Sequence, residues 1–293
     1  MKRTADSASE PTRFWQASWL NTLGRFAALA AVFLFFALAV EDGKFYSARN
    51  LENILRQSAV YATAALGMTM VIITGGIDLS IGSIIALTVV LVAWVLNLHS
   101  EVEVDGVRQT VYWLESQPFW LPIAAGVSSV AGGTPGGGAN GLLIVGLRLV
   151  PFIVTLGAMG IFRGLAKGIS HERDIYPPEE TWIGGLMDPT LTNPARSWMI
   201  LPPGVWILLA ASLVAALLLR YTRLGRHIFA VGSSPETARL CGAQVHRTKA
   251  AVYALAGFFA GLAGLMQFSF IGGIGQPTTA VAYELYVISA VVI

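Results

Sequence analysis

The sequence is poor in charged residues and in cysteine, and both shortages narrow what the protein can be. Charged residues make up 12% of the 293 residues and hydrophobic residues 55%, whereas a soluble domain typically carries about 25% charged residues. The single cysteine, Cys241, excludes a disulfide within the chain, and no Cys/His spacing matches a metal site. The net charge of +2 is too small to indicate binding to nucleic acid. These shortages favour an integral membrane protein.

The sequence also lacks the residue patterns that an enzyme would need. No G-x-x-x-x-G-K-[ST] phosphate-binding loop is present, so we expect no ATP hydrolysis by this chain. An integral membrane enzyme would need a cluster of acids, histidines or cysteines at the membrane face, and the sequence offers none. We therefore expect a chain without catalytic, cofactor-binding or metal-binding residues of its own.

Long runs without charge predict the membrane spans, because a spanning helix needs about 20 mostly apolar residues. The first run, which contains Arg25, is interpreted as an uncleaved helix, since the preceding residues are long for a signal peptide and carry both charge signs. We predict an all-α polytopic membrane protein with about seven to eight transmembrane helices, some of them broken near the centre. In chain order the runs are 19–40, 57–77, 79–98, 116–147, 149–162, 197–219, 250–283 and 285–293.

The distribution of Lys and Arg among the loops predicts the orientation, because cytoplasmic loops are enriched in these residues. Residues 220–249 are strongly basic, with Glu236 as their one acid, so this loop should be cytoplasmic. Residues 99–118 and 171–199 carry an excess of acids and should lie outside. The prediction is a cytoplasmic N-terminal segment at 1–25, followed by a single transmembrane domain at 26–293.

The basic loop 220–249 contains the signals of a short helix. Ser234 suits an N-cap, Pro235 suits the first helical position, and Glu236 suits the positive helix end. Gly242 is a natural stop, so we predict a helix over residues 235–241. Such a short helix is marginal alone in water and should pack against something. Two interpretations remain open: an incidental helical turn in a basic loop, or an element that docks to a cytoplasmic partner through Arg226, Glu236 and Arg239.

The stretch TGGIDLSIGS at 74–83 places one carboxylate between two apolar runs, since Asp78 is the only charged residue between Arg56 and His99. We predict that the backbone breaks near Gly75 and that a new helix begins at Leu79, with Asp78 as its N-cap. The carboxylate would then accept hydrogen bonds from amides near Ser80. The alternative is that Asp78 contacts the substrate pathway. The residues predicted for the helix break or translocation pathway are Thr74, Gly75, Gly76, Asp78, Ser80 and Gly82.

Three stretches of the sequence resemble one family in the order in which that family carries them. They are ITGGIDLSIGS at 73–83, NGLLIVGLRLVPFIVTLGAMGIFRGLAKGIS at 140–170, and TRLGRHIFAVGSSPETARLCGAQVHRTKAAVYALAGFFAGLAG at 222–264. These blocks resemble the permease subunits of bacterial ABC importers for monosaccharides, the ribose, xylose, arabinose and galactoside type. The resemblance covers most of the chain from Leu51 onward.

This resemblance implies a multi-pass permease of the bacterial inner membrane that translocates a monosaccharide through a lipid bilayer, and Lys2, Arg3 and Arg13 place its N-terminus in the cytoplasm. The implied partners are a second permease subunit in a homodimer, a cytoplasmic ATPase dimer that binds the ATP, and a periplasmic sugar-binding protein. No nucleic acid is implied. The resemblance also assigns an ATPase coupling helix, made of Ser234, Pro235, Glu236, Thr237, Ala238, Arg239 and Gly242.

The sequence departs from that family in two places. Residues 131–141, AGGTPGGGANG, are far richer in glycine than the family's helix, so we expect a broken or distorted helix there. The G-x-G-x-x-G match at 136–141 does not indicate a dinucleotide site, because no strand precedes it. The family also continues beyond 287–293, so the chain is expected to be truncated at its C-terminus.

An ion-coupled secondary transporter of a small neutral solute is the alternative function. Such transporters have broken helices near the bilayer midplane, and Asp78 would be the proton or sodium site, with Glu284 a weaker candidate. This alternative does not explain the capped helix in the basic loop 220–249.

Overall fold

The computed structural model describes residues 18–40, 43–104, 107–190 and 198–292, so most of the predicted N-terminal segment 1–25 lies outside the described residues. The described chain divides into two compact units, one extending to Leu51 and one formed by Glu52–Val292. The helices are α1 (Ser18–Ala39), α2 (Ala48–Ile73), α3 (Ile81–Leu96), α4 (Trp113–Ser116), α5 (Trp120–Leu147), α6 (Pro151–Ile169), α7 (Pro203–Tyr221), α8 (Arg223–Ser233), α9 (Pro235–Leu240), α10 (Val245–Phe270) and α11 (Tyr283–Val292).

The first unit contains α1 and the loop that leads into α2. Within it, the ring of Phe45 packs against Phe33 at 4.9 Å and stacks on Phe36 at 5.7 Å between ring centroids. Asn50 Nδ2 donates a hydrogen bond to the Phe45 carbonyl at 2.6 Å, which fixes the turn before α2. The apolar side chains of α1 are largely exposed, as expected for a helix in contact with lipid.

The centre of the second unit is α3, which α5, α6 and α10 surround. The sequence of α3 is apolar on all sides, and a helix of this kind is stable only when it is buried all round. Ile84, Val89 and Ala93 have no exposed surface, although they point in different directions from the helix axis. The polar segment between α2 and α3, which leads into this helix, therefore lies inside the bundle.

Helix α5 is continuous through 131–141, so the predicted break in this segment is wrong. Its glycines recur every four residues on the face that meets α10. A Cβ on Gly137 would overlap the Tyr253 carbonyl oxygen, and a Cβ on Gly141 would lie 2.8 Å from the Cα of Ala250. The glycines thus allow two helix backbones to touch, which is how small residues drive helix association in membranes. The glycine content marks a packing face rather than a helix break.

Three described helices are long and apolar enough to cross a membrane by themselves: α6, α7 and α10. Shorter apolar helices occur at Phe26–Ala39, Ile81–Leu96 and Tyr283–Val292. Together these helices are typical of a polytopic membrane protein, as the sequence predicts.

The all-α prediction is wrong between α3 and α4, where β1 (His99–Val104) pairs antiparallel with β2 (Val107–Tyr112). Trp113 Nε1 donates to Ser100 Oγ at 2.6 Å and ties the hairpin to the following turn. The sequence does carry a hairpin signal, because polar and β-branched residues alternate on both sides of Asp105-Gly106. The excess of acids in residues 99–118 indicates the side of the membrane but not the secondary structure.

The loop between α6 and α7 folds back onto the helical bundle. Ile183 and Met187 are fully buried. The Met187 amide donates to Ser269 Oγ at 2.7 Å, near the end of α10. The Thr190 amide and hydroxyl both donate to Glu52 Oε1, at 2.5 and 2.9 Å. These bonds anchor one end of the loop to α2 and α10.

Candidate functional site: two helix breaks and a surface helix

The first break separates α2 from α3. Helix α2 ends at Ile73, and Gly75 follows with a left-handed φ of +74°. Thr74 Oγ1 donates to the Val71 carbonyl at 2.9 Å, and the Gly76 amide donates to the same carbonyl at 3.0 Å. Both bonds satisfy one carbonyl of the last helical turn, in the way that a glycine C-terminus allows.

Asp78 does not occupy the N-cap of α3, contrary to the prediction, because α3 begins at Ile81 and Ser80 is its N-cap. Asp78 Oδ1 instead accepts from the Ser80 amide at 2.8 Å and from the Ser80 hydroxyl at 2.6 Å. An aspartate that bonds to the amide two residues later forms a turn of its own, and this turn delays the start of the helix.

A buried polar network surrounds this turn. Asn140 Nδ2 of α5 donates to Ser80 Oγ at 2.7 Å, and Asp78, Ser80 and Asn140 are at most 1% exposed. The Tyr253 hydroxyl on α10 donates to the Ile77 carbonyl at 3.3 Å. Thr155 Oγ1 on α6 donates to the Pro151 carbonyl at 3.0 Å and lies 3.4 Å from the Ile77 carbonyl oxygen. Irregular backbone at membrane depth is tolerated where protein groups surround and satisfy it, and here α5, α6 and α10 all place polar side chains at the turn.

The second oxygen of Asp78, Oδ2, is buried and has no hydrogen-bond partner among the residues that the structure describes. The whole side chain is 0% exposed, so it faces neither a cavity nor the surface in this conformation. The geometry therefore suits a brace that holds the break in one arrangement. Gly82, one turn further on, lies against the chain between α10 and α11 and against the start of α11. A Cβ on Gly82 would be 2.6 Å from the Ala280 carbonyl oxygen and from Glu284 Oε2.

The second break is the non-helical segment 271–282 between α10 and α11. Ala280 and Ala282 have left-handed φ values of 56° and 63°, which alanine adopts only under constraint. Arg163 of α6 supplies that constraint. Its Nη1 donates to the carbonyls of Pro277 at 2.9 Å and Thr279 at 2.5 Å.

Sequence reasoning missed Arg163, although the signal was present. It is the first charged residue after Arg148 and lies in the middle of α6. A cation at such a position is costly unless it is paired with acceptors inside the bundle. The structure gives it three such acceptors, because Nη2 also lies 3.4 Å from the Ala280 carbonyl oxygen.

Arg163→Gln is expected to lower the free energy of unfolding by about 2–3 kcal/mol, because several carbonyls lose their charged donor. Thermal unfolding of the purified protein in detergent measures this loss. Lys167→Gln is the matched control, since Lys167 lies one turn later on α6 and is exposed. Equal unfolding midpoints for the two variants would show that the guanidinium does not hold the second break.

The short surface helix α9 runs from Pro235 to Leu240, one residue shorter than predicted. The N-cap Ser234 accepts from the Thr237 amide at 3.2 Å. Gly242 has a φ of +83° and ends the turn, and its amide donates to the Arg239 carbonyl at 3.0 Å. The inner face is small, because it is formed by Ala238, which packs with Val231, Ala243 and Val245.

The outer face of α9 is open to solvent. Glu236, Thr237 and Arg239 are exposed, and Leu240 is 88% exposed. The outer face therefore presents one large apolar side chain beside an acid and a base. Sequence reasoning identified the two charges but missed Leu240, which stands on the helix face opposite the packed Ala238.

Helix α8 connects this surface helix to the first break. Ile228 and Val231 bury its inner face. A Cβ on Gly232 would overlap the carbonyl oxygen of Ile73, so the end of α8 touches the backbone of α2 at its last residue.

Comparison with known proteins identifies related chains over nearly the whole length. Residues 50–293 match the family described as branched-chain amino acid transport system, permease component. The ribose import permease protein of Escherichia coli K12 is 31% identical over 291 residues, which cover 96% of this chain and 79% of that protein. The ribose import permease protein of Bacillus subtilis 168 is 32% identical, covering 99% and 81%. The L-arabinose transport system permease protein of Escherichia coli K12 is 32% identical, covering 89% and 70%. No solved structure matches significantly.

Proposed function

Because this chain belongs to the family of transport-system permease components and is therefore a permease subunit rather than an enzyme, we propose that it carries a monosaccharide inward across the bacterial inner membrane. The observation that carries the proposal is its similarity, over nearly its full length, to permeases named for ribose and L-arabinose transport. A neutral polyol also suits an apolar bundle whose polar groups are mostly uncharged hydroxyls and amides.

The proposed partners follow from what the chain lacks and what it exposes. It has no phosphate-binding loop, so the energy of ATP must come from a separate ATPase subunit. The exposed face of α9, with Glu236, Arg239 and Leu240, supports docking of that ATPase. A second copy of the permease and a periplasmic sugar-binding protein complete the proposed importer.

The proposed topology places seven spans and the beginning of an eighth in this chain. Helices α1, α2, α3, α5, α6, α7 and α10 cross the membrane, and α11 starts the next crossing. The loop carrying α8 and α9 faces the cytoplasm, because it is the most basic loop. The β-hairpin and the α6–α7 loop face outward, where the binding protein would dock.

The contacts described above suggest how ATP binding on the partner could reach the substrate path. Movement of the ATPase would displace α9, and the small cluster around Ala238 would carry α8 with it. The contact of Gly232 with Ile73 would then shift the end of α2. Such shifts can be accommodated at the breaks between helices by small changes in backbone dihedral angles. Two conformations of the permease would then open the substrate path alternately to the two sides of the membrane.

Reversing both charges of α9 tests the docking step. The double substitution Glu236→Arg with Arg239→Glu keeps the net charge and the exposed Leu240 but inverts the electrostatic pattern. We expect the variant to lose most ATPase subunit during co-purification, because like charges at an interface are costly, while its own elution and thermal stability stay unchanged. Arg247→Gln, which alters an exposed cation at the start of α10, serves as the control. Normal recovery of the ATPase with the double variant would remove α9 as the docking element.

A further inference from the structure

An open apolar groove lies between α5, α10 and the loop that joins α6 to α7. Its volume is about 440 Å³, and it is lined by seven residues of α5 between Pro122 and Thr134, by Trp182 and Ile183 of the loop, and by Leu265 of α10. The α5 residues recur three and four positions apart, so they form one face of the helix. Apart from Thr134 and the indole of Trp182, every side chain that lines it is a hydrocarbon. We name this feature the α5 groove.

The walls of the α5 groove are held in place by contacts outside it. Ser129 Oγ, on a neighbouring face of α5, donates to the Gly261 carbonyl of α10 at 2.7 Å. The α6–α7 loop is bonded to the end of α10, and its Ile183 is fully buried. Gly126 leaves the space between these walls open, since even a Cβ there would lie 3.7 Å from Ile183 Cδ1 and from Leu265. A preformed, mostly apolar cavity of this size is typical of a ligand site.

Two tryptophans place one end of the α5 groove at the membrane surface. Trp182 lines the groove and is 47% exposed, and Trp120, the first residue of α5, is 64% exposed. Tryptophan is enriched at the membrane–water interface. From Pro122 to Thr134 the helix rises roughly 18 Å at 1.5 Å per residue, which is close to the hydrocarbon depth of one leaflet, about 15 Å. The groove therefore runs from the interface through one leaflet, the outer one in the topology proposed above.

The exposed side of the α5 groove faces the hydrocarbon of that leaflet. Val127 is 61% exposed, and Ala131, one turn further along α5, is exposed as well. A ligand therefore enters from the bilayer. The sugar is not suited to this site, because hydrocarbon walls would leave its hydroxyls without hydrogen-bond partners.

The volume of the α5 groove suits a hydrocarbon chain better than a helix of a second copy of this chain. A helix with its side chains is about 10–12 Å wide, so a length of about 18 Å would fill roughly 1,500 Å³. An extended acyl chain is about 4–5 Å wide, because its carbon atoms contact their neighbours at about 3.5–4.0 Å, and the same length would fill roughly 300 Å³. The groove offers about 440 Å³. One chain fits along its whole length, whereas a helix would insert only single side chains.

We propose that the α5 groove binds one acyl chain of a membrane phospholipid, with the headgroup at the interface beside Trp182. The chain fills the space between α5 and α10 and packs against Ile183, so the bound lipid stabilises the position of the α6–α7 loop. This site goes beyond the proposed function. It rests on the proposed membrane topology of α5 but not on the sugar or the ATPase.

Native mass spectrometry of the full chain, purified in a mild detergent, tests the site. The wild-type protein should retain one phospholipid per chain under conditions that remove the surrounding lipids. Ala131→Phe fills the groove from an exposed position and should lose most of this lipid. Ala139→Phe is the matched control, because Ala139 is exposed on the same helix, two turns further on and outside the groove. Equal lipid retention by all three proteins would show only non-specific surrounding lipid and would overturn the proposal.

Thermal unfolding after delipidation provides a second measurement. Added phosphatidylethanolamine should raise the unfolding midpoint of the wild type and of Ala139→Phe, but not that of Ala131→Phe. Gly126→Leu narrows the groove from within and gives a second variant if Ala131→Phe does not fold. A wild-type midpoint that does not respond to the phospholipid would contradict the site. Loss of a permease dimer from the groove variants, with lipid retention unchanged, would assign the groove to a contact between two copies and overturn the lipid assignment.

Discussion

Replacing Gly137 by leucine is expected to leave almost no folded permease. A Cβ at this position would overlap the Tyr253 carbonyl oxygen and lie 2.8 Å from the Cα of Gly257. Because the obstructing atoms belong to the backbone of α10, no side-chain rotation can relieve the clash, and the two helices must separate. Overpacking a core costs about 1–3 kcal/mol even where side chains can adjust, so we expect a larger loss here. Size-exclusion chromatography in mild detergent measures it as loss of the monodisperse peak.

Gly146→Leu is the matched control for this prediction. Gly146 lies on the same helix, but a Cβ there has nothing within 4 Å. Leucine at 146 should leave the yield and the thermal stability nearly unchanged, and it should also raise the intrinsic helix propensity. If both variants fold equally well, then α5 and α10 do not meet backbone to backbone.

Asp78→Ala is expected to abolish transport, whereas Asp78→Asn should retain most of it. Alanine leaves the amide and hydroxyl of Ser80 without the acceptor that Asp78 Oδ1 provides at 2.8 and 2.6 Å. Each buried donor without a partner costs about 1–3 kcal/mol, and Asn140 loses the fixed position of Ser80. Asparagine keeps an oxygen at that place and removes any requirement to bury a charge. Thermal stability and sugar uptake, both normalised to the amount of permease, measure the two effects.

The pattern across the two Asp78 variants separates a brace from a residue of the pathway. For a brace, stability and uptake fall together in Asp78→Ala and are both preserved in Asp78→Asn. An asparagine variant that folds normally but transports nothing would instead show that the carboxylate itself takes part in passage. The full burial of Asp78 in this conformation favours the brace.

The features that the sequence predicts well are those set by local chemistry. The uncharged runs predicted the helices because a membrane helix satisfies its own backbone and needs only an apolar surface. Ser234, Pro235 and Gly242 defined α9 to within one residue, because caps and stops act over a single turn. The family resemblance is confirmed by the matches to ribose and L-arabinose permeases.

The features that escaped prediction depend on which groups meet in three dimensions. The glycine-rich segment of α5 predicted a break because glycine weakens isolated helices, but the face of α10 converts the same glycines into contact points. Asp78 was placed at the N-cap because capping is the commonest use of an aspartate before a helix. Its bond to the Ser80 hydroxyl, which Asn140 orients, moves the helix start by two residues. The role of Arg163 depends on the return of the segment 271–282 to α6, and no local pattern in the sequence indicates that return.

The most direct test of the account is ATP-dependent sugar uptake by a defined assembly. The purified permease would be reconstituted into liposomes with its ATPase subunit and its binding protein, and uptake of labelled ribose and L-arabinose would be followed. The account predicts uptake that requires ATP on the side of the ATPase, requires the binding protein, and is unaffected by a proton ionophore. Uptake that persists without ATP but collapses with the proton gradient would contradict it and would favour an ion-coupled transporter instead.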